Sequence, residues 1–323
     1  MGPARRRQKL VSEVDFLLGF PLPQEENVIG GPVGSRASTT SGRWSPSLVL
    51  PLLPYFTFVG LFLLVPTVVL FTKAFRPVTG STTSAMVEAM NASNRSSFMF
   101  SLKISFFSAI LGAIVGFLFA LAVSRIERPR RLRNIVTGFS GVAANLGGIP
   151  LAFAFIASLG AQGLFTRVLY HNGIDLYGAG FKIYDFWGIV VVYLYFQIPL
   201  MLLVMLPAID GLRPTWREAA INIGASSSQY WRRVGLPILT PSLLGGTLLL
   251  FANAFSAYAT AYALSSGGSR LVPVQIRFYL QGNTITGKGN LGYALAAWMV
   301  VILLFVMTGY LLLRRRAERW RAA

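Results

Sequence analysis

Residues 215–237, TWREAAINIGASSSQYWRRVGLP, form a polar stretch in a chain that is apolar on both sides of it. The flanking runs 188–209 and 238–264 are each long enough to cross a bilayer as a helix, which takes about 20 apolar residues. The stretch therefore predicts a segment outside the membrane, held between two membrane helices.

The composition is that of a membrane protein. The chain has 323 residues, of which 54% are hydrophobic and 12% charged, whereas soluble domains carry about 25% charged residues. A net charge of +18 could suggest nucleic-acid binding. However, the basic residues lie at the ends of apolar runs, a pattern that suits anionic membrane lipid as the partner and excludes nucleic acid. There is no cysteine for a disulfide or thiolate site.

Six apolar runs predict an all-α fold, a polytopic membrane bundle of about six transmembrane helices. The runs cover residues 48–71, 98–123, 135–159, 186–209, 240–264 and 293–313. The third contains NLGGIP at 145–150, which predicts a kink or an unwound turn whose backbone groups are satisfied by neighbouring helices. We expect a disordered tail at 1–46, a membrane domain at 47–316 and a short C-terminal tail at 317–323.

The loop charges predict the orientation. Twenty basic residues lie in the N-terminal tail, the second and fourth loops and the C-terminus, which places these segments, both termini included, in the cytoplasm. The predicted outer side carries nine: Lys73, Arg76, Arg95, Lys103, Arg167, Lys182, Arg270, Arg277 and Lys288. The stretch 215–237 is then cytoplasmic.

Capping signals predict two short helices in the stretch. Thr215 and Glu218 match a capping box that would start the first helix, and Gly224 is placed to end it in a left-handed conformation. Ser226 and Gln229 match a second capping box. Beyond them, Leu236-Pro237 is expected to close the segment and Thr240-Pro241 to start the next membrane helix.

The first short helix needs a surface to pack on, since isolated helices below about 12–15 residues are marginal in water. Its predicted apolar face contains Trp216, Ala219, Ala220 and Ile223, and Glu218 offers a charge to a partner. Two interpretations remain open from spacing alone. The segment either docks into another protein, or lies on lipid or on its own bundle.

The same residues carry a resemblance. Glu218-Ala219-Ala220, three residues, Gly224, nine residues and then Val234-Gly235-Leu236-Pro237 resemble the EAA motif of permease subunits of binding-protein-dependent ABC importers, with valine in place of the usual isoleucine. Six spans with cytoplasmic termini also match, so the resemblance covers roughly residues 48–316.

The resemblance implies a cytoplasmic coupling helix that sits in a groove of an ATPase subunit, with 213–237 as the EAA loop. By position, Glu218, Ala219, Ala220 and Gly224 would contact the ATPase, and Pro237 would set the return to the membrane. The implied partners are an ABC ATPase in two copies, a second permease subunit, homologous or identical, and an extracytoplasmic substrate-binding protein. ATP would be bound by the ATPase, so this chain would need no cofactor, carry no catalytic residue, and lie in a bacterial inner membrane.

Other possible sites are weak. GNTITGKG at 282–289 lacks the final Ser or Thr of a phosphate-binding loop and predicts a flexible outer turn. His171 has no second histidine to share a metal. Within the spans, Asn145, Gln197 and Asn253 could line a pathway or could hydrogen-bond between helices.

The cargo is the least determined property. Segments beginning at Gly148 and Tyr193 look most like the branch that imports polyamines, iron, thiamine or phosphonates, and the sugar importers are the alternative branch. An ion-coupled secondary transporter normally has charged residues at mid-membrane, and the spans show none clearly. A membrane-anchored scaffold is a further alternative, although it has no need for a broken third span.

Overall fold

The computed structural model describes residues 53–126, 129–265, 270–281 and 288–322, with side chains up to residue 312. Two compact units are distinguished, Met1–Phe56 and Thr57–Ala323. Only residues 53–56 of the first unit are described, and they are helical. The predicted tail at 1–46 lies outside the described residues, and the architecture below concerns the second unit.

The described residues form helices joined by short connections, with no strand among them and a single isolated bridge between Pro77 and Ser84. In chain order the helices are α1 (Leu53–Ala74), α2 (Ala85–Glu88), α3 (Ala92–Ser124), α4 (Arg130–Asn145), α5 (Ile149–Leu159), α6 (Leu164–His171), α7 (Phe186–Asp210), α8 (Pro214–Asn222), α9 (Ser227–Ser256), α10 (Ala259–Leu264), α11 (Val272–Leu280) and α12 (Gly289–Ala322).

Six segments are long and apolar enough to span a membrane: Leu53–Ala74, Ala92–Ser124, Ile149–His171, Phe186–Asp210, Ser227–Ser256 and Gly289–Leu312. The predicted all-α bundle of six membrane helices is confirmed. Four of the predicted spans match these segments to within six residues at either end. The third and fifth do not.

The third predicted span, 135–159, is two helices. α4 ends at Asn145, and α5 begins at Ile149 after Gly148, whose φ of 78° is left-handed. The apolar candidate span continues instead through α5 and α6, to His171. The break expected at 145–150 is therefore confirmed, but it separates two helices rather than kinking one.

The fifth predicted span, 240–264, starts too late and ends too late. α9 is already helical from Ser227 and stops at Ser256, where Ala257 adopts an extended conformation and α10 follows. No glycine or proline marks this second break. The residues around it are Ala257, Tyr258 and Ala259, so the sequence carried no local signal for it.

A polar seam on α3 organises the bundle. Four buried serines recur along one face of this helix: Ser97, Ser101, Ser105 and Ser108. Two of them accept hydrogen bonds from α11, at 3.0 Å from the backbone nitrogen of Val272 to Ser101 Oγ and at 2.8 Å from Gln275 Nε2 to Ser97 Oγ. Such side-chain bonds and close backbone contact are what hold helices together in lipid, where apolar surfaces gain little by meeting.

The same face of α3 continues with two glycines that bring it close to α7. A Cβ built on Gly112 would lie 2.8 Å from Gln197 Oε1, and one on Gly116 would lie 2.5 Å from Met201 Cβ and 2.8 Å from the carbonyl oxygen of Ile198. Because the obstacle at Gly116 includes backbone, it cannot be relieved by a side-chain rotation. The close approach of α3 to α7 therefore requires glycine, which has no Cβ, at position 116.

We expect Gly116→Ala to lower the stability of the bundle by about 1–3 kcal/mol, the usual cost of overpacking a core. Thermal unfolding of the purified protein in detergent measures this. The matched control is Gly138→Ala on α4, where nothing lies within 4 Å of the added Cβ. Both substitutions share the gain in helix propensity from Gly to Ala, so their difference isolates the contact. Equal unfolding midpoints would mean that α3 and α7 can separate without cost.

Candidate functional site

The polar stretch begins with α8, whose start differs from the prediction. The helix runs Pro214–Asn222 with Arg213 at the N-cap, and no side chain caps it. The capping box predicted at Thr215 and Glu218 is therefore wrong. Pro214 occupies the first helical position, where its fixed φ is favourable and its missing N–H is not needed, so Thr215 lies inside the first turn.

The end of α8 is as predicted. Gly224 has a φ of 78°, and its N–H bonds to the carbonyl oxygen of Ile221 at 2.8 Å, while the N–H of Ala225 bonds to the carbonyl oxygen of Ala220 at 2.9 Å. This pair of bonds is a Schellman motif, which requires a left-handed residue at that position. Gly224 thus ends α8 sharply and turns the chain back toward the bundle.

The second capping box is present in full. Ser226 Oγ accepts from the backbone N–H of Gln229 at 3.2 Å, and Gln229 Oε1 accepts from the backbone N–H of Ser226 at 2.8 Å. The box starts α9, so the connection between Gly224 and Ser226, which is the single residue Ala225, is fixed at both ends.

Pro237 does not close the segment. Trp231–Gly235 is a π-helical turn, and the N–H of Leu236 bonds to the carbonyl oxygen of Trp231, five residues back. The helix then continues through Pro237, and the Thr240 hydroxyl donates to the carbonyl oxygen of Leu236 at 2.7 Å instead of capping a new helix. The extra residue in the π turn accommodates a proline that would otherwise disrupt the α-helical ladder. The return to the membrane is thus one continuous helix from Ser227.

α8 exposes most of its side chains. Ile223 is 84% exposed and Ile221 59%, and Glu218 and Ala219 are exposed as well. Ala220 is 9% exposed, so it packs within this chain. Of the predicted apolar face, Ala220 alone is covered by the rest of the described structure, and a nine-residue helix carries exposed apolar side chains.

The two helix breaks meet each other. The backbone N–H of Gly148, at the start of α5, donates to Thr260 Oγ1 in α10 at 2.8 Å. At the second break, the hydroxyl of Tyr193 in α7 donates to the carbonyl oxygen of Ala257 at 3.1 Å. Side chains of neighbouring helices thus satisfy backbone groups that the breaks leave without helical partners, as expected for broken helices in a membrane bundle.

The three polar candidates are in different surroundings. Gln197 is fully buried, and its Nε2 donates to Ser108 Oγ at 3.2 Å and to the carbonyl oxygen of Leu250 at 3.4 Å, which joins α7 to α3 and α9. Asn145 is exposed and its Nδ2 donates to the carbonyl oxygen of Gly141 in its own helix at 2.8 Å. Asn253 is half-buried in α9. The structure does not bring the three together.

One ionic contact was not anticipated. The guanidinium of Arg133 on α4 bonds to the carboxylate of Asp210, the last residue of α7, and it is the only ion pair among the described residues. A cavity of about 1030 Å³ lies beside it, lined by Ser124, Arg130, Asn134, Thr137 and others. The two partners are 77 residues apart, so no local pattern could have paired them.

The described residues contain no cluster of His, Asp and Glu that could hold a metal. His171 is exposed at the end of α6, with its Nδ1 2.8 Å from the carbonyl oxygen of Arg167. Most of the phosphate-loop-like segment, 282–287, lies outside the described residues.

The curated relatives of the chain are permeases. It is 26% identical over 169 residues to the probable sulfate transport system permease protein CysT of Prototheca wickerhamii, covering 52% of this chain and 62% of that protein. It is 27% identical over 216 residues to the spermidine/putrescine permease PotC of Haemophilus influenzae, covering 67% and 75%. It is 27% identical over 222 residues to the molybdenum permease ModB of Mycobacterium bovis, covering 67% and 78%.

The solved structures agree on the fold. A bacterial alginate ABC transporter in complex with an alginate-bound periplasmic protein has a chain that matches with a TM-score of 0.66, at 18% identity, over 84% of this chain and 94% of that one. The chain is thus similar in sequence to transport-system permeases and shares its fold with a membrane chain of an ABC transporter. A comparison with protein-family models finds no match.

The helix breaks and the exposed α8 lie at different points along the membrane helices. α9 leads from the Ser226 capping box to the break at Ala257, 30 helical residues later, which at 1.5 Å per residue is about 45 Å. α9 therefore connects the exposed α8 with the region where α5 and α10 meet through the Gly148–Thr260 hydrogen bond.

We expect Thr260→Val to destabilise the protein by about 1–3 kcal/mol, because it removes the acceptor and leaves the N–H of Gly148 unpaired. Thr260→Ser keeps the hydroxyl and serves as the control, with an expected loss well below that of Thr260→Val. Thermal unfolding in the same detergent compares the two. Equal unfolding midpoints for Thr260→Val and Thr260→Ser would mean that the hydrogen bond at the break does not contribute to stability.

Proposed function

We propose that this permease forms half of a translocation pathway that is driven by a separate ATPase, and that residues 213–237 are where the ATPase docks. The observation that carries the proposal is α8 itself, a helix ended by a Schellman motif that leaves Ile221 and Ile223 exposed beside Glu218. Exposed apolar side chains grouped with a charge are typical of protein–protein contact.

The local geometry supports docking rather than packing on the permease's own bundle. Arg213 lies over the Trp216 ring at 5.8 Å, and Ala220 and Tyr230 are the buried side chains of 213–230. The first contact lies at the start of α8 itself, whereas burial of Ala220 and Tyr230 packs the segment against the rest of the chain and leaves the outer face of α8 uncovered. Glu218, Ala219 and the turn at Gly224 are then the surface offered to the ATPase, and Ala220 supports it from within. Pro237 contributes to the shape of α9 rather than to a separate return loop.

The proposed mechanism is alternating access. ATP brings two ATPase subunits together, each carries its docked α8 with it, and the two permease subunits change from inward-facing to outward-facing. α9 transmits the displacement toward the break at Ala257, since it is one continuous helix from the capping box. The Arg133–Asp210 pair joins α4 to the end of α7, four residues before α8 begins at Pro214. α4 therefore moves with the docking segment.

The proposed assembly contains two ATPase subunits, a second permease subunit, identical or homologous, and an extracytoplasmic binding protein that delivers the cargo. ATP is bound by the ATPase and no cofactor by this chain. We place the permease in a bacterial inner membrane with both termini in the cytoplasm, on the basis of the loop charges. The expected cargo is a polyamine, a phosphonate, iron or thiamine, and the named relatives include permeases for an anion and for polyamines. A sugar is the alternative.

Truncation of the exposed face of α8 is expected to weaken ATPase binding. Glu218→Ala and Ile223→Ala should each lower affinity by about ten- to hundredfold if these side chains are central to the interface, since hot-spot residues contribute about 1–3 kcal/mol or more. The measurement is co-purification with the ATPase after co-expression, followed by ATP-driven uptake in the same membranes. Gly224→Val should also lose coupling, because valine is strained at positive φ.

Two controls belong to this experiment. Ile174→Ala changes an apolar side chain that is 53% exposed on the predicted outer side and should leave ATPase binding intact. Gly224→Asn should be tolerated better than Gly224→Val, since asparagine adopts the left-handed region more readily. ATPase binding and uptake equal to wild type in all α8 variants would contradict the proposal.

The proposed orientation can be tested by labelling, because the chain has no cysteine of its own. Thr82→Cys, between α1 and α2, should react with a membrane-impermeant maleimide in intact spheroplasts. Ser228→Cys, in the first turn of α9, should react only after lysis. Both positions are exposed, so the difference reports sidedness, and the reverse pattern would invert the topology.

A further inference from the structure

Arg277 on α11 is held by two tyrosines next to the second helix break. Its guanidinium donates to the hydroxyl of Tyr258 and lies 4.4 Å from the centroid of the Tyr262 ring. The two tyrosine rings are themselves 5.5 Å apart. On the other side, Arg277 Nε donates to Gln281 Oε1 at 2.8 Å. All of these contacts are with neutral groups.

No described carboxylate pairs with this charge. An arginine held in a fixed position normally meets a carboxylate or phosphate, whose oxygens match its fork of donors. The one ion pair among the described residues is Arg133–Asp210, on the opposite side by loop charge. Arg277 is only partly buried, so its charge is both uncompensated and accessible to a ligand.

The predicted outer side as a whole carries an excess of positive charge. It has nine basic residues and three acidic ones, Glu88, Asp175 and Asp185. Asp175 Oδ1 accepts a hydrogen bond from the backbone N–H of Gly178 at 2.8 Å. Glu88 has one buried carboxylate oxygen without a hydrogen-bond partner. Residues 266–269 and 282–287, which lie outside the described part of the chain, include no Asp or Glu.

A second cation on the predicted outer side, Lys73, is also held by a tyrosine and not by a carboxylate. Lys73 Nζ donates to the Tyr293 hydroxyl at 3.3 Å and lies 4.7 Å from the centroid of that ring. Tyrosine orients a cation without neutralising it. The outer face therefore keeps a positive potential that attracts anions and repels polyamines and metal cations.

We propose that Arg277, clasped by Tyr258 and Tyr262, is the outer contact point for an anionic cargo bearing oxyanion or phosphonate-type oxygens. The inference rests on the proposed function, of which it names the cargo class, and it selects phosphonate from the expected cargoes and excludes polyamine. The guanidinium has donors left for two oxygens of such a group. An anion bound there also pulls on Tyr258, the residue directly after the break, where Ala257 is held by the Tyr193 hydroxyl.

The test uses the full-length permease purified in phosphatidylcholine nanodiscs and titrated with molybdate, phosphate or methylphosphonate at constant ionic strength. Bound ligand raises the unfolding midpoint in a saturable way. We expect at least one of the three to do so in wild type, and its half-saturating concentration to rise about tenfold or more in Arg277→Gln, given the strength of a charge-assisted hydrogen bond. Spermidine should give no shift.

Three variants separate binding from folding. Arg167→Gln removes another exposed outer arginine, on α6, and should bind like wild type. Arg277→Lys keeps the charge and should retain weakened binding, which keeps the test valid if the glutamine variant folds poorly. Tyr258→Phe removes the hydroxyl that orients the guanidinium and should weaken binding less than Arg277→Gln. General salt stabilisation would appear equally in all variants.

The outcomes that overturn the inference are specific. They are an equal anion shift in wild type and Arg277→Gln, no saturable shift with any of the three anions, or a shift with spermidine. A lipid phosphate could occupy the same arginine, so the titration is repeated in phosphatidylglycerol nanodiscs. If the free-anion shift disappears there, the site belongs to lipid headgroups and not to cargo.

The two proposals fail separately. Arg277→Gln should still co-purify with the ATPase, and Glu218→Ala should still show the anion shift. Loss of the anion effect with intact ATPase binding removes the cargo class alone. Loss of ATPase docking in wild type removes the proposed function and leaves the anion result to stand on its own.

Discussion

The close contact between α3 and α7 is the constraint on which the remaining structure depends. Lipid tails are as apolar as leucine, so two membrane helices gain stability mainly from dense packing and interhelical hydrogen bonds. Gly116 provides the first, by letting the Ile198 carbonyl and Met201 approach α3 directly. Ser108 provides the second by accepting from Gln197. With α3 and α7 locked together, α9 and α11 pack on the same seam through the Leu250 carbonyl, Val272 and Gln275.

This rigid pair makes two broken helices tolerable. A break leaves backbone donors and acceptors without partners, which is costly in a bilayer unless protein side chains supply them. Here the Thr260 hydroxyl accepts from the N–H of Gly148 at the first break, and the Tyr193 hydroxyl donates to the carbonyl oxygen of Ala257 at the second. Each of these bonds joins residues far apart in the sequence, 112 and 64 positions, so the backbone at the breaks is satisfied by the packing of α5, α7 and α10. The segments beyond the breaks, α5 and α10, are correspondingly short, with 11 and 6 residues.

The sequence predicted those features that are encoded within a few residues. Gly224 and the Ser226–Gln229 box could be placed because a left-handed cap and a capping box each have a local pattern, and the EAA spacing gave the class of protein. The predicted helix start at Thr215 was wrong, because Pro214 has the stronger preference for the first helical position. It also missed the π turn before Pro237, since a proline reads as a helix end unless the ladder shifts by one residue. The break at Ala257 and the Arg133–Asp210 pair could not be predicted, because they depend on contacts between residues that are far apart in the sequence.

The distribution of charge links the structure to a direction of transport. An ion pair between helices resists their separation, and the single one described joins α4 to α7 immediately before α8, where the proposed motor would act. On the proposed outer side, Lys73 and Arg277 are held by tyrosines instead. A tyrosine keeps a cation in place but leaves its field available to a passing ligand, whereas a carboxylate would cancel it. A pathway that must bind its cargo briefly and release it is better served by such a weakly compensated charge, because an arginine already paired with a carboxylate has neither the free donors nor the potential to compete for an anion.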